Sequence, residues 1–500
     1  MERSDGGGER ISSDSSTAAG EDRLSALPDD ILVLVLLRLH NAAAAAQTSV
    51  LSRRWRRLWA LLPELRFPSS SDPRHIASAL LAHQAPLAFL DVATEDAAAE
   101  SVAAWLPAAA RRLSGSLVFT NRTPAANAAD EGEAPCERKR GAAFIDLPCF
   151  GNATAVSLDV GYLGVAVVPL DGVFARLTKL RLAHVHFRRP CALGDAVSSR
   201  RCPSLEKLTV RYAMGVTDLA VRFSSLRRMK LENMDGLEKL TVATPALEHL
   251  TVLACFYRGR RRRPVADIEA RQLKVLRWGD LFDRSSVKLG KMKHLQSVCP
   301  DVFLVYGFPP NDPCLALLRC FKIIQQLCLT LVYLPDINDR PYLLEDMKML
   351  PGVTSLHLGL TSNGHAFGTC LFHILKLCSG TRKLALEISG KISEEQTTCP
   401  AGCICDEHQS WKTEELLLNH LQEVKITEFR GSEHEVTFVE QLFKWATVLT
   451  KMTVTFNSLV AESMSKKQYR ILRSFSRPEI CMEFYTSNED MVEEMYAPEH

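Results

Sequence analysis

A chain of 500 residues is too long for one ordinary core, and it reads as roughly two or three domains. Apolar residues make up 46% and charged residues 24%, and 60 Lys plus Arg against 58 Asp plus Glu leave a net charge of +2, which excludes a global field steering the chain to nucleic acid or an anionic membrane. The longest apolar run, Ile31–Leu37, is far short of the roughly twenty residues that a membrane-spanning helix needs, so no membrane partner is expected.

Residues 1–20 are rich in Gly, Ser and charge, and read as a disordered tail without a secretory signal. The 15 cysteines are then expected as thiols in a reducing compartment, cytoplasmic or nuclear. Order begins near Asp22. Leu27-Pro28-Asp29-Asp30 opens a helix, with Pro in the first turn and two acids at the positive end of the dipole. A second helical stretch follows over Asn41–Leu51 and a third over Ser52–Leu62, ended by Pro63. In the third, Trp55, Leu58, Trp59 and Leu62 share one face. Three short helices make a small core, and the first is apolar nearly all round, so this unit, residues 21–66, needs a partner.

Residues 75–395 repeat themselves. The pattern apolar-x-x-apolar-x-apolar occurs at Leu177/Leu180/Leu182, Leu205/Leu208/Val210, Leu226/Met229/Leu231, Leu247/Leu250/Val252 and Leu273/Leu276/Trp278. It returns at Ile324/Leu327/Leu329 and Val353/Leu356/Leu358, and beyond residue 395 at Leu421/Val424/Ile426 and Leu449/Met452/Val454. Units this small cannot bury their apolar faces alone. They must stack, with their strands forming a parallel sheet on an inner curve: a leucine-rich-repeat solenoid. Leu237/Leu240/Val242 is an extra copy inside one repeat. Leu87–Val92, a helix around Ala99–Arg112 and Leu117–Phe119 are expected to form the first turn. Residues 121–143 lack periodicity and read as a disordered insertion. The basic run Arg258–Arg263 reads as a solvated loop, so nucleic acid is not an expected partner.

Cys399-x3-Cys403-x-Cys405, with His408 close by, has a ligand count that could hold zinc. The spacing is not the paired C-x2-C of zinc ribbons, so neither metal nor cofactor is expected. His184 and His186 alternate on a strand and read as part-exposed polar surface. No Gly-rich phosphate loop, nucleophile elbow or H-E-x-x-H is present, and no catalytic residue is assigned.

Asp22–Leu32 (DRLSALPDDIL) and Thr48–Trp59 (TSVLSRRWRRLW) resemble the plant F-box. Val173–Leu180, Gly194–Ser199, Arg201–Leu205 and above all Leu421–Gly431 with Phe443–Ala446 resemble the plant F-box, leucine-rich-repeat and FBD family, in which the FBD block, here 396–490, closes the solenoid. Departures from the family pattern fall at Val33, Leu34, Arg38, His40 and the Ala42–Ala46 run. The resemblance implies an α/β architecture: a three-helix F-box, an irregular leucine-rich-repeat solenoid and an FBD cap. It also implies a non-catalytic subunit of an SCF-type ubiquitin ligase, whose F-box binds a Skp-family adaptor and through it a cullin. Adaptor-facing positions carry over as Leu27, Pro28, Ile31, Leu32, Val35, Leu36, Ser52, Trp55 and Trp59. An interaction scaffold with a decayed F-box is the alternative.

Within each repeat strand, alternate side chains leave the core for the concave face. The offset in Leu205–Val210 selects Lys207 and Thr209, and the same offset selects Lys179 and Arg181, Arg228 and Lys230, His249 and Thr251, and Lys274 with Arg277 nearby. A mostly basic stripe for an acidic target segment or an anionic cofactor is the expectation, with Lys179, Arg181, Lys207, Thr209, Arg228 and Lys230 as its centre.

Overall fold

The computed structural model describes residues 24, 26–122, 144–166, 172–188, 193–256, 265–307, 311–338, 340–389, 399, 403–406, 410–487 and 493–496. The tail 1–20, nearly all of the 121–143 insertion, the basic run Arg258–Arg263 and His408 lie outside them. Asn121 and Arg122, assigned to that insertion from sequence, instead complete the strand Leu113–Arg122. The Asn121 side chain takes hydrogen bonds from Ala97 N (2.9 Å) and Thr94 Oγ1 (3.0 Å), serving the buried-turn role that asparagine has in such repeats.

The described N-terminal part is helical. Asp29–Leu37 forms the first helix, with Asp29 and Asp30 in its first turn as the dipole favours. Ala42–Gln47 forms the second, since Asn41 caps it by accepting from Ala43 N at 2.8 Å. The third stretch is one α-turn, Trp55–Leu58, followed by the 3-10 turn Trp59–Leu61. Leu32, Leu36, Ala45, Trp55 and Leu58 are buried in one apolar cluster that runs on through Leu62 and Leu65 into the rest of the molecule.

Beyond Pro63 the chain winds a sheet of 20 strands, beginning at Glu64–Phe67, in which every described pairing is parallel except the last. That first strand lies inside the segment assigned from sequence to the helical unit. Leu62, Leu65 and Phe67 carry the repeat pattern there, and Leu65 pairs in register with Leu90. A helix, Pro73–Ala82, then leads to the strand Leu87–Glu95, so the solenoid starts one turn earlier than the sequence reading placed it.

Repeat length decides what lies opposite the main sheet. Where first positions are 21 to 26 residues apart, from Leu205 to Leu273 and just beyond, a second strand fills the return in place of a helix. Asp218–Arg222, Lys239–Ala243, Val265–Glu269 and Val287–Leu289 pair into a parallel four-stranded sheet. The extra copy Leu237/Leu240/Val242 is one of these strands. Longer repeats return through helices instead, as in Asn311–Leu318, Gly368–Leu377 and Glu433–Trp445.

At the C-terminal end the parallel strands Glu423–Phe429, Lys451–Phe456 and Cys481–Ser487 extend the same sheet, and the antiparallel strand Glu493–Met495 covers its edge. Phe438, Leu442, Trp445 and Leu449 are all buried, as their helical spacing predicts. No described helix is long and apolar enough to cross a membrane.

Candidate functional site

The first candidate surface lies on the N-terminal helices. Burial separates the positions that sequence grouped together. Leu32 (0% exposed), Leu36 and Trp55 are core residues, so they hold the helices together and cannot themselves meet a partner in this conformation. Leu27 and Trp59 are half-buried, and Pro28, Ile31, Val35 and Ser52 are exposed. Two residues that sequence reasoning passed over are more exposed than Ile31 or Val35: Val50 at 86% and Leu51 at 64%. Leu34 is exposed too, on the outer side of the first helix. Arg54 fixes the geometry of the surface. Its guanidinium reaches Asp29 Oδ1 at 2.6 Å and the Leu27 carbonyl at 2.5 Å, tying the start of the third stretch to the start of the first helix. Ile31, Leu34, Val35, Val50 and Leu51 are thus large apolar side chains left in water, which makes this end of the molecule a candidate docking surface.

The second candidate surface is the exposed row of the main sheet. Lys179, Lys207 and Arg228 are direct register partners on three neighbouring strands, and the row continues to His249 and Val275. One step along, Arg181, Thr209, Lys230, Thr251 and Arg277 form the next row. Lys274, assigned to the stripe from sequence, lies outside it: it precedes the strand and pairs with Glu248 at 3.4 Å, while Val275 takes its place. Lys230 is neutralised as well, because the largely buried Glu232 pairs with it at 2.8 Å and with Arg211 at 2.6 Å. Among the described residues, Lys179, Arg181, Lys207 and Arg228 form no ion pair. The stripe is therefore narrower than expected and more sharply cationic: three like charges stand side by side on adjacent strands, an arrangement that disfavours the free sheet.

A family model for the leucine-rich repeats of FBD-associated F-box protein At5g56370 matches residues 104–291, and a model for the FBD block matches 414–454. The chain is 27% identical over 478 residues to an Arabidopsis thaliana protein described as putative F-box/FBD/LRR-repeat protein At4g03220, spanning 90% of this chain and 92% of that one. The chain is similar to plant F-box/FBD/LRR-repeat proteins along most of its length. Further Arabidopsis relatives, the putative F-box/FBD/LRR-repeat protein At3g49030 and F-box/FBD/LRR-repeat protein At2g04230, are each 28% identical, and the matches cover 47% and 53% of their own lengths. The repeat match spans both basic rows, and the FBD match spans the strand Glu423–Phe429 and the helix Glu433–Trp445.

The chain also gathers four metal-ligating side chains ahead of residues 414–454, which the FBD model matches. His365, Cys399, Cys403 and Cys405 place one ligand atom each within 4.8 Å of all the others. Sequence reading named the three cysteines but took His408 as the nearby histidine; His365, 34 residues before Cys399, escaped it. His184 donates from Nδ1 to the Asp159 carboxylate at 2.8 Å and stacks on Tyr212 at 4.7 Å, so it is surface structure and not half of a ligand pair with His186. Burial raises the Asp280 carboxyl to about 6, against the pull of its hydrogen bonds from Cys255 N and Phe256 N.

Proposed function

We propose that the chain is the substrate-recognition subunit of a cullin-type ubiquitin ligase: its N-terminal helices dock a Skp-family adaptor, and the basic rows of the solenoid hold an acidic segment of the target. The observation that carries the first half is the exposed apolar surface of Ile31, Leu34, Val35, Val50 and Leu51, on a chain whose relatives are named for their F-box. Burying side chains of this size contributes about 1.5–3 kcal/mol each before ordering costs, so four or five suffice for a stable complex. Such a subunit needs no reactive group of its own, because holding a target beside another protein's chemistry supplies the rate enhancement through proximity.

The burial pattern says which substitutions test this. Ile31→Asp with Val35→Asp changes only exposed positions, so the protein should fold and fail to co-purify with a plant Skp-family adaptor. Leu27→Ala with Pro28→Ala should weaken the complex. Wild-type protein that does not bind the adaptor at all would favour the scaffold reading instead.

A further inference from the structure

We propose that His365, Cys399, Cys403 and Cys405 bind one zinc ion, in a closed structural site that fastens the 399–405 loop to the solenoid ahead of the FBD block. Zinc held by Cys and His is tetrahedral, with Zn–S about 2.3 Å and Zn–N about 2.0–2.1 Å, which sets ligand atoms roughly 3.4–3.8 Å apart. Cys399 Sγ and Cys405 Sγ are 3.5 Å apart, and Cys403 Sγ lies 3.5 Å from His365 Nδ1. No pair in the group exceeds 4.8 Å, so sub-ångström adjustment closes the shell.

The surroundings are those of a metal site. His365 is 2% exposed, and its Nε2 faces two carbonyls, Leu334 O at 3.1 Å and Pro335 O at 3.3 Å. A proton on Nε2 satisfies them and leaves the Nδ1 lone pair aimed at Cys403, the outer-shell arrangement that fixes a ligand histidine's tautomer. The backbone N–H of Ala366 donates to Cys405 Sγ at 3.4 Å, a contact that stabilises a thiolate. Tyr333 stacks against the imidazole at 5.9 Å. Cys403 and Cys405 are buried and Cys399 half-buried, so little room remains for a substrate or water ligand. Four protein ligands and no open position make the site structural, not catalytic. Binding would release the three thiol protons to solvent, leaving three thiolates and a neutral histidine around Zn²⁺.

The zinc would have mechanical work to do. Six residues after Cys405 stands Trp411, whose ring lies so close to Gly368 that a Cβ there would meet it at 2.0 Å. Trp411 also packs on Phe438 and Trp445, in the aromatic seam between the helices Gly368–Leu377 and Glu433–Trp445.

Untagged full-length protein, purified under reducing conditions in metal-free buffer, is the material for the test. Elemental analysis should find about one zinc per chain. Cys403→Ser and His365→Ala should each lose it, while Cys481→Ser, which alters an exposed thiol elsewhere, should retain it. Because those two variants could unfold, His365→Cys supplies an independent arm: a four-thiolate shell should keep zinc. Cobalt(II) bound to wild type should give a thiolate-to-metal charge-transfer band and tetrahedral d–d absorption, with the charge-transfer band stronger in His365→Cys. Chelation should lower Tm by several degrees. Reduced wild type holding neither zinc nor cobalt would overturn the proposal. So would zinc that persists in both Cys403→Ser and His365→Ala, or a metal-free native protein carrying a Cys399–Cys405 disulfide.

Discussion

Cys299 and Cys328 meet on neighbouring strands of the main sheet, one position beyond Arg277 along its row. Their hydrogen bond sets an asymmetry. Donation from Cys299 is the largest influence on Cys328, and with help from Ser297 and Gln326 it holds that thiol near 7 despite burial. Cys299, as the donor, is pushed up. Elsewhere burial is the main cause that pushes Cys202, Cys314 and Cys378 up to about 12, helped by Cys149 beside Cys202 and by Asp301 beside Cys314. The thiolate is the nucleophile, so reactivity appears as pH rises through the thiol's own pKa in the folded protein. Iodoacetamide labelling read by peptide mass spectrometry should therefore modify Cys328 before those three cysteines, with a rate rising through a midpoint near pH 7. Ser297→Ala should move that midpoint upward. A rate that stays flat until pH 9 would mean that Cys299 does not donate to Cys328.

At the scale of the element, the helix Glu433–Trp445 shows how local signals and packing divide the work. Ser432 caps it, accepting from Glu435 N at 3.3 Å, while the Glu435 carboxylate turns back to accept from Gly431 N at 2.7 Å and Arg430 N at 2.9 Å. Ser432→Ala should cost about 1 kcal/mol by denaturant unfolding. Trp445→Ala should cost more, about 3–5 kcal/mol, since that ring is buried against Phe372, Trp411 and Phe438. Equal losses from the two would contradict the division. The strands on either side of this helix were legible in the sequence because the repeat patterns Leu421/Val424/Ile426 and Leu449/Met452/Val454 are short-range signals. Other features were not. The strand Glu64–Phe67 carries the repeat pattern, yet it follows Pro63 so closely that it reads as the tail of a helical unit. The buried and exposed sides of Asp29–Leu37 are both apolar, so its pattern could not say that Leu32 turns inward and Ile31 outward. His365 joins three cysteines across 34 residues or more, a contact made only when the turn after the strand Gly352–Thr361 is folded beside the later loop.

Over the whole molecule the single continuous core makes stability and recognition separable. Each strand is held by its two neighbours, so the end strands matter most. Removing residues 396–500 should uncover the edge of Lys383–Ser389 and the apolar sides of Phe372 and Leu375, giving an aggregating product; a truncation that stays monomeric by light scattering and melts cooperatively would refute that. The exposed rows, by contrast, carry charge without supporting the core. Lys179, Lys207 and Arg228 stand on strands about 4.8 Å apart with no anion among them, so replacing them should leave folding intact or slightly improve it. Their mutual repulsion is relieved when an acidic segment lies across the strands. A fluorescent oligoglutamate peptide serves as the probe: wild-type protein should bind it, with affinity falling as salt rises because the contacts are exposed. Reversing all three charges, K179E with K207E and R228E, should abolish that binding, whereas Lys230→Ala, which leaves Glu232 paired with Arg211, should change it little. Both variants should still bind the adaptor, since the N-terminal surface is untouched. Equal binding by wild type and the triple variant would remove the target from this face and leave the loops or the FBD block as its site.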